Sequence, residues 1–96
     1  MSDILEQAVA ELGSKAAGAD LGGSAKFAID GVGAIMLDDN GARIGDEEAD
    51  VTMTADADTF HSIFTGDLNP TGAFMSGKLT IDGDMGLAMK LASVLA

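Results

Sequence analysis

Residues 24–44 read SAKFAIDGVGAIMLDDNGARI, and the alternation within this stretch decides the fold. Phe27 and Ile29 alternate with Lys26, Ala28 and Asp30, the period of two that marks a strand with one wet face. Gly31 and Gly33 supply a turn, and Ala34–Asp38 forms a second apolar run. Asp39-Asn40-Gly41 is a strong hairpin signal before a short returning strand, Ala42–Ile44. Beyond the acidic loop Asp46-Glu47-Glu48, Val51 and Met53 point one way and Asp50, Thr52 and Thr54 the other, which predicts a fourth strand continuing the meander.

On either side of this block the period becomes helical. Ser2-Asp3 caps a first helix in which Ile4, Leu5, Ala8, Val9 and Leu12 share a face, ended by Gly13 or Gly18. After the fourth strand, Thr54 or Asp56 caps a helix with Asp58 in its first turn, an inner stripe of Phe60, Ile63 and Phe64, and Gly66 at its end. Asn69-Pro70 opens a short helix carrying Ala73, Phe74 and Met75, which stops at Gly77. Residues 78–82 alternate as a last strand, and Gly83-Asp84 turns and caps a terminal helix, Met85–Ala96. The order helix, four strands, two helices, strand, helix predicts an α+β fold: one domain, residues 1–96, with a five-stranded, mostly antiparallel sheet and helices on its one apolar face. That face is formed by Phe27, Ile29, Ile35, Leu37, Val51, Met53, Leu79 and Ile81.

Bulk composition narrows the function. A net charge of −11 with five Lys and Arg repels phosphate backbones, so nucleic acid is excluded as a partner and contact with a membrane is at most transient. No run approaches the roughly 18 to 20 consecutive apolar residues of a membrane span, and Asp3 and Glu6 stand where a secretion signal carries positive charge. A cytoplasmic location is expected. The absence of cysteine removes disulfides, thiolate catalysis and thiolate zinc sites.

Catalytic patterns are scarce. His61 is the only histidine, and no Gly-x-Ser-x-Gly elbow accompanies it. The carboxylates at 46–48, Asp56 and Asp58 read as loop and helix-start charges. Gly31-Val32-Gly33 lacks the third glycine of a dinucleotide loop, and a calcium loop centred on Gly41 would put Met36 at its first ligand position. No catalytic residue, metal site or cofactor is expected.

The terminal helix is the unusual element. Between Met85 and Leu95 only Gly86, Lys90 and Ser93 are not apolar, whereas a surface helix normally carries a single stripe about 100° wide. Such a helix needs cover on more than one side, and a chain of this size buries only about 60–65% of its unfolded surface. An apolar ligand is one source of that cover. A second chain packed against residues 85–95 is the other, which leaves a protein-interaction or dimerisation module as the alternative to a ligand-binding monomer.

The ordered strings Ala49-Asp50-Val51-Thr52-Met53-Thr54, Phe60, Thr65-Gly66-Asp67-Leu68-Asn69-Pro70, Ala73-Phe74-Met75-Ser76-Gly77-Lys78-Leu79, Ile81 and Gly83-Asp84-Met85-Gly86-Leu87-Ala88-Met89-Lys90-Leu91 together resemble the sterol carrier protein 2 lipid-transfer family. The match is strong over the C-terminal half and weaker before it. The resemblance implies a five-stranded sheet covered by helices that enclose a hydrophobic tunnel, binding fatty acids, acyl-CoA esters, sterols or other lipids without catalysis. The acidic chain disfavours phosphate-bearing ligands, and without a long C-terminal extension or peroxisomal address it looks like a free-standing bacterial member. On this reading the partner is a small apolar lipid, and Phe60, Phe64, Phe74, Met75, Met85, Met89 and Leu91 form much of the cavity wall.

Overall fold

The computed structural model describes residues 3–16 and 22–95. Nine elements follow in the order α1 (Asp3–Lys15), β1 (Ala25–Asp30), β2 (Gly33–Asp38), β3 (Gly41–Ile44), β4 (Val51–Asp56), α2 (Ala57–Thr65), α3 (Pro70–Met75), β5 (Thr80–Gly83) and α4 (Met85–Leu95). The element order matches the sequence reading. Ser2 and Gly18, read as helix boundaries, lie outside the described residues, and α1 runs through Gly13 instead of stopping there.

The strands form one five-stranded sheet in the order β3-β2-β1-β4-β5. Three pairings are antiparallel and one, β1 with β4, is parallel, with Phe27 opposite Met53 and Ile29 opposite Ala55. The meander therefore ends at β3, one strand earlier than expected. Burial explains the crossover. Val51, Met53 and Ala55 are all buried, which demands a central place in the sheet, while β3 has no buried residue and stays at the edge. The connecting residues 45–50 pass over the reverse face, where the Lys26 ammonium meets the Asp46 carboxylate at 2.9 Å and Met36 is only 2% exposed with Gly45 beside it.

The other face carries the core. Ala25, Phe27, Ile29, Ile35, Leu37, Val51, Met53 and Ala55 meet Leu5, Ala8 and Leu12 from α1, Phe60, Ile63 and Phe64 from α2, and Leu87, Ala88 and Leu91 from α4. The Phe60 ring packs edge-on against Phe27 at 5.9 Å and stacks with Phe64 at 5.8 Å.

Local chemistry sets the helix ends. The Asp56 carboxylate accepts the Thr59 N–H at 2.7 Å at the start of α2, and hydrogen bonds from Thr59, from its side chain first and then its backbone, hold the Asp56 pKa below the ordinary carboxylate value. Gly66 closes α2 with φ 87° and donates to the Ile63 carbonyl. The Asn69 side-chain oxygen accepts from the Thr71 and Gly72 N–H groups at the start of α3. At the other end of α3 the N–H groups of Lys78 and Leu79 both donate to the Ala73 carbonyl, which is why the last strand begins at Thr80 and not at Lys78.

Asp50 fastens α4 to the sheet. Its carboxylate accepts the Ser24 N–H at 3.0 Å, and its carbonyl accepts the Asp84 N–H at 2.9 Å. Asp84 then caps α4 by accepting the Leu87 N–H at 3.1 Å. Gly83 passes so close to this junction, with φ 112°, that a Cβ there would collide with the Asp50 carbonyl oxygen and lie 3.0 Å from Val51 Cα.

Candidate functional site

The helical period of α4 produces two apolar stripes with different destinations. Leu87, Ala88 and Leu91 are buried in the core. Met85, Ala88, Met89 and Ala92, spaced i, i+3, i+4 and i+7, line one wall of a cleft. Short α3 supplies the opposite wall with Pro70, Phe74 and Met75, held in place by the Asn69 cap. The floor is Met53, Leu79 and Ile81; Met53 and Ile81 are cross-strand partners on β4 and β5. The cleft has a volume of about 470 Å³. Among the described residues, Asn69, Thr71 and Ser93 are its only polar lining residues, and all three are exposed.

The mouth is open and oily. Met75 is 81% exposed, Met89 72%, Met85 47% and Phe74 40%. Large apolar side chains concentrated on one patch, instead of scattered singly, mark a surface that receives something. Methionine suits such a wall, because its unbranched thioether adjusts to guests of different shape.

Of the seven wall residues read from the sequence, the structure brings together Phe74, Met75, Met85 and Met89. It does not bring Phe60, Phe64 or Leu91 to this cleft. Leu91 is fully buried in the core, and Phe60 and Phe64 stack on each other within that core, where they back a smaller hollow of about 150 Å³ with His61, Gln7, Glu11 and Asp58. The phase of each helix decides this. Leu91 lies two residues beyond Met89 and so about 200° around the helix axis. The i, i+3, i+4, i+7 spacing from Met85 also held the signal for Ala88 and Ala92, residues missed because they are small.

Among the described residues, those that line the hollow beside His61 include no Ser or Thr. Among the described residues no group of three or more acidic or histidine side chains is placed to hold a metal ion, and no helix is long and apolar enough to cross a membrane. Two further hollows among the described residues are polar, one lined by Asp30, Asp56, Asp58 and Lys78 among others, another by Asp50, Asp84 and Lys90.

A five-stranded mixed sheet with four helices, two of which, α3 and α4, frame an apolar cleft, defines an α+β fold. The chain belongs to the SCP-2 sterol transfer family, which matches residues 2–96. Among solved structures it is similar to the Aedes aegypti sterol carrier protein 2 determined in complex with the C16 fatty acid palmitate, at 25% identity and a TM-score of 0.80, covering 100% of this chain and 97% of that one. It is also similar to sterol carrier protein 2 like 2 of Aedes aegypti, at 27% identity and a TM-score of 0.74 over 95% of this chain and 92% of that one. Among curated proteins, hydroxysteroid dehydrogenase-like protein 2 of Danio rerio is 59% identical over 49 residues, 51% of this chain, and human sterol carrier protein 2 is 49% identical over 49 residues, also 51%. The matched segments span only 12% and 9% of the lengths of those two relatives.

Proposed function

We propose that this chain binds and carries small apolar lipids, without chemical change, in the cleft between α3 and α4. The observation that carries the reading is a cleft of about 470 Å³ with exposed methionines at its mouth and, among the described residues, no charged one in its lining. That volume lies inside the range of about 300–1,000 Å³ usual for small-molecule sites. Family membership and the palmitate-bound relative support the same reading.

The energetics are sufficient. Burying about 400 Å² of alkyl chain at about 25 cal/mol per Å² yields about 10 kcal/mol gross. Subtracting an association cost of several kcal/mol leaves micromolar affinity within reach. Flexible methionine walls favour tolerance of chain shape over exact specificity. Uptake of Nile red, an uncharged dye bright only in apolar surroundings, tests the proposal: saturable, one-to-one uptake supports it, and no uptake removes it.

The exposure of Met85 and Met89 also favours a second reading, in which α4 packs against its copy in another chain and no lipid is bound. Mass measured across protein concentration separates the two. A monomer that takes up dye is a carrier; an empty dimer joined through residues 85–95 is an interaction module.

A further inference from the structure

The rim of the cleft points to the chemistry of the lipid's polar end. The chain has five Lys and Arg, and none of them lines the cleft. On the reverse face of the sheet Lys26 pairs with Asp46 at 2.9 Å, and Arg43 meets Asp38 at 2.9 Å and Glu47 at 3.5 Å. Lys78 and Lys90 line separate hollows among aspartates, and Lys15 ends α1. A carboxylate or phosphate brought to the mouth would find no cation in the lining, inside the field of a chain carrying −11.

An uncharged oxygen finds partners there. The cap on α3 requires the Asn69 side-chain oxygen, which accepts from Thr71 N–H at 2.8 Å and Gly72 N–H at 3.4 Å. The amide NH₂ is consequently the half of Asn69 left to serve a guest, and it can only donate. The hydroxyls of Thr71 and Ser93 donate or accept on the same rim.

We infer that the cleft selects lipids ending in an uncharged oxygen function, an alcohol, ketone or ester, over lipids ending in a carboxylate or phosphate. This rests on the carrier reading above and adds the class of ligand to it. Asn69, Thr71 and Ser93 can donate to either kind of head, but a charged head would sit there without a countercharge and inside the field of an acidic chain, a cost that a neutral head does not meet.

Displacement of bound Nile red by 1-dodecanol and by laurate, at pH 8 and below the micelle concentration, compares two heads on twelve-carbon lipids, the one extra methylene in dodecanol's tail accounting for about fourfold. Dodecanol is expected to bind at least about tenfold more tightly than laurate. Ser93→Lys, which places a cation on the exposed rim, should raise the ratio of laurate to dodecanol affinity about three- to fivefold, the scale of a surface ion pair. Laurate binding as tightly as dodecanol, or a ratio unmoved by Ser93→Lys, overturns the selectivity while leaving the carrier standing. Failure of Nile red itself to bind overturns both.

Discussion

Met89→Glu separates a working cleft from an idle groove. Met89 is 72% exposed without a guest, so a glutamate there stays in water and leaves the fold within about 0.5 kcal/mol of the parent. With a guest in place the side chain is part of the wall that α4 presents. Losing up to about 80 Å² of apolar contact at 25 cal/mol per Å² costs about 2 kcal/mol. Keeping the new carboxylate solvated beside an alkyl chain adds up to about 1 kcal/mol more. The total, about 2–3 kcal/mol, weakens binding roughly 30- to 150-fold. Titration with Nile red reads this without charge repulsion on the probe, and urea denaturation verifies the fold. Met89→Leu should stay within about threefold of the parent. A Met89→Glu variant that is folded and binds the dye as before would refute the assignment of this wall.

Other variants test how the cleft is built. Gly83→Ala forces a side chain against the Asp50 carbonyl at a left-handed backbone position and should cost at least about 2 kcal/mol by urea midpoint; a loss under about 0.5 kcal/mol would contradict the junction described. Asp84→Ala removes the acceptor of the Leu87 N–H and should cost about 0.5–2 kcal/mol, with amide exchange fastest in the first turn of α4. Asp56 has a folded pKa below its ordinary value, so its stabilisation is complete above the unfolded pKa and is lost as pH falls through the folded one. Asp56→Asn keeps a capping oxygen but cannot titrate, and its stability should fall less steeply across that acid range; an unchanged acid limb would refute the role given to Asp56.

The parts of the fold written in local patterns could be read directly, and the parts that depend on competition between distant segments could not. Asp56, Gly66, Asn69-Pro70 and Asp84 announce helix ends through backbone chemistry that acts over three or four residues, and each stands where its chemistry requires. The parallel pairing of β4 with β1 is different. It follows from which strand is apolar enough to be central, a comparison between β3 and β4 that alternation within either strand does not express. The sheet departs from a continuous meander at β4 for that reason. The start of β5 moved because the N–H groups of Lys78 and Leu79 serve the end of α3.

For the site, composition revealed excess apolar surface on α4 but not its direction. Phe60, Phe64 and Leu91 are as oily as Met85 and Met89, and only helix phase relative to the sheet separates core from cleft. Of the large apolar residues proposed, the three methionines all line the cleft, whereas two of the three phenylalanines do not.

The same residues offer the most direct experiment. Of the six methionines, Met53, Met75, Met85 and Met89 line the cleft, and Met36 lies on the reverse face of the sheet beneath residues 45–50. With ¹³C-labelled methionine methyl groups, titration with 1-dodecanol should shift the signals of those four together, saturating at one equivalent, while Met36 stays in place. A saturable shift at Met36 with the four cleft methyls unmoved, or no shift at any methyl, would contradict the account.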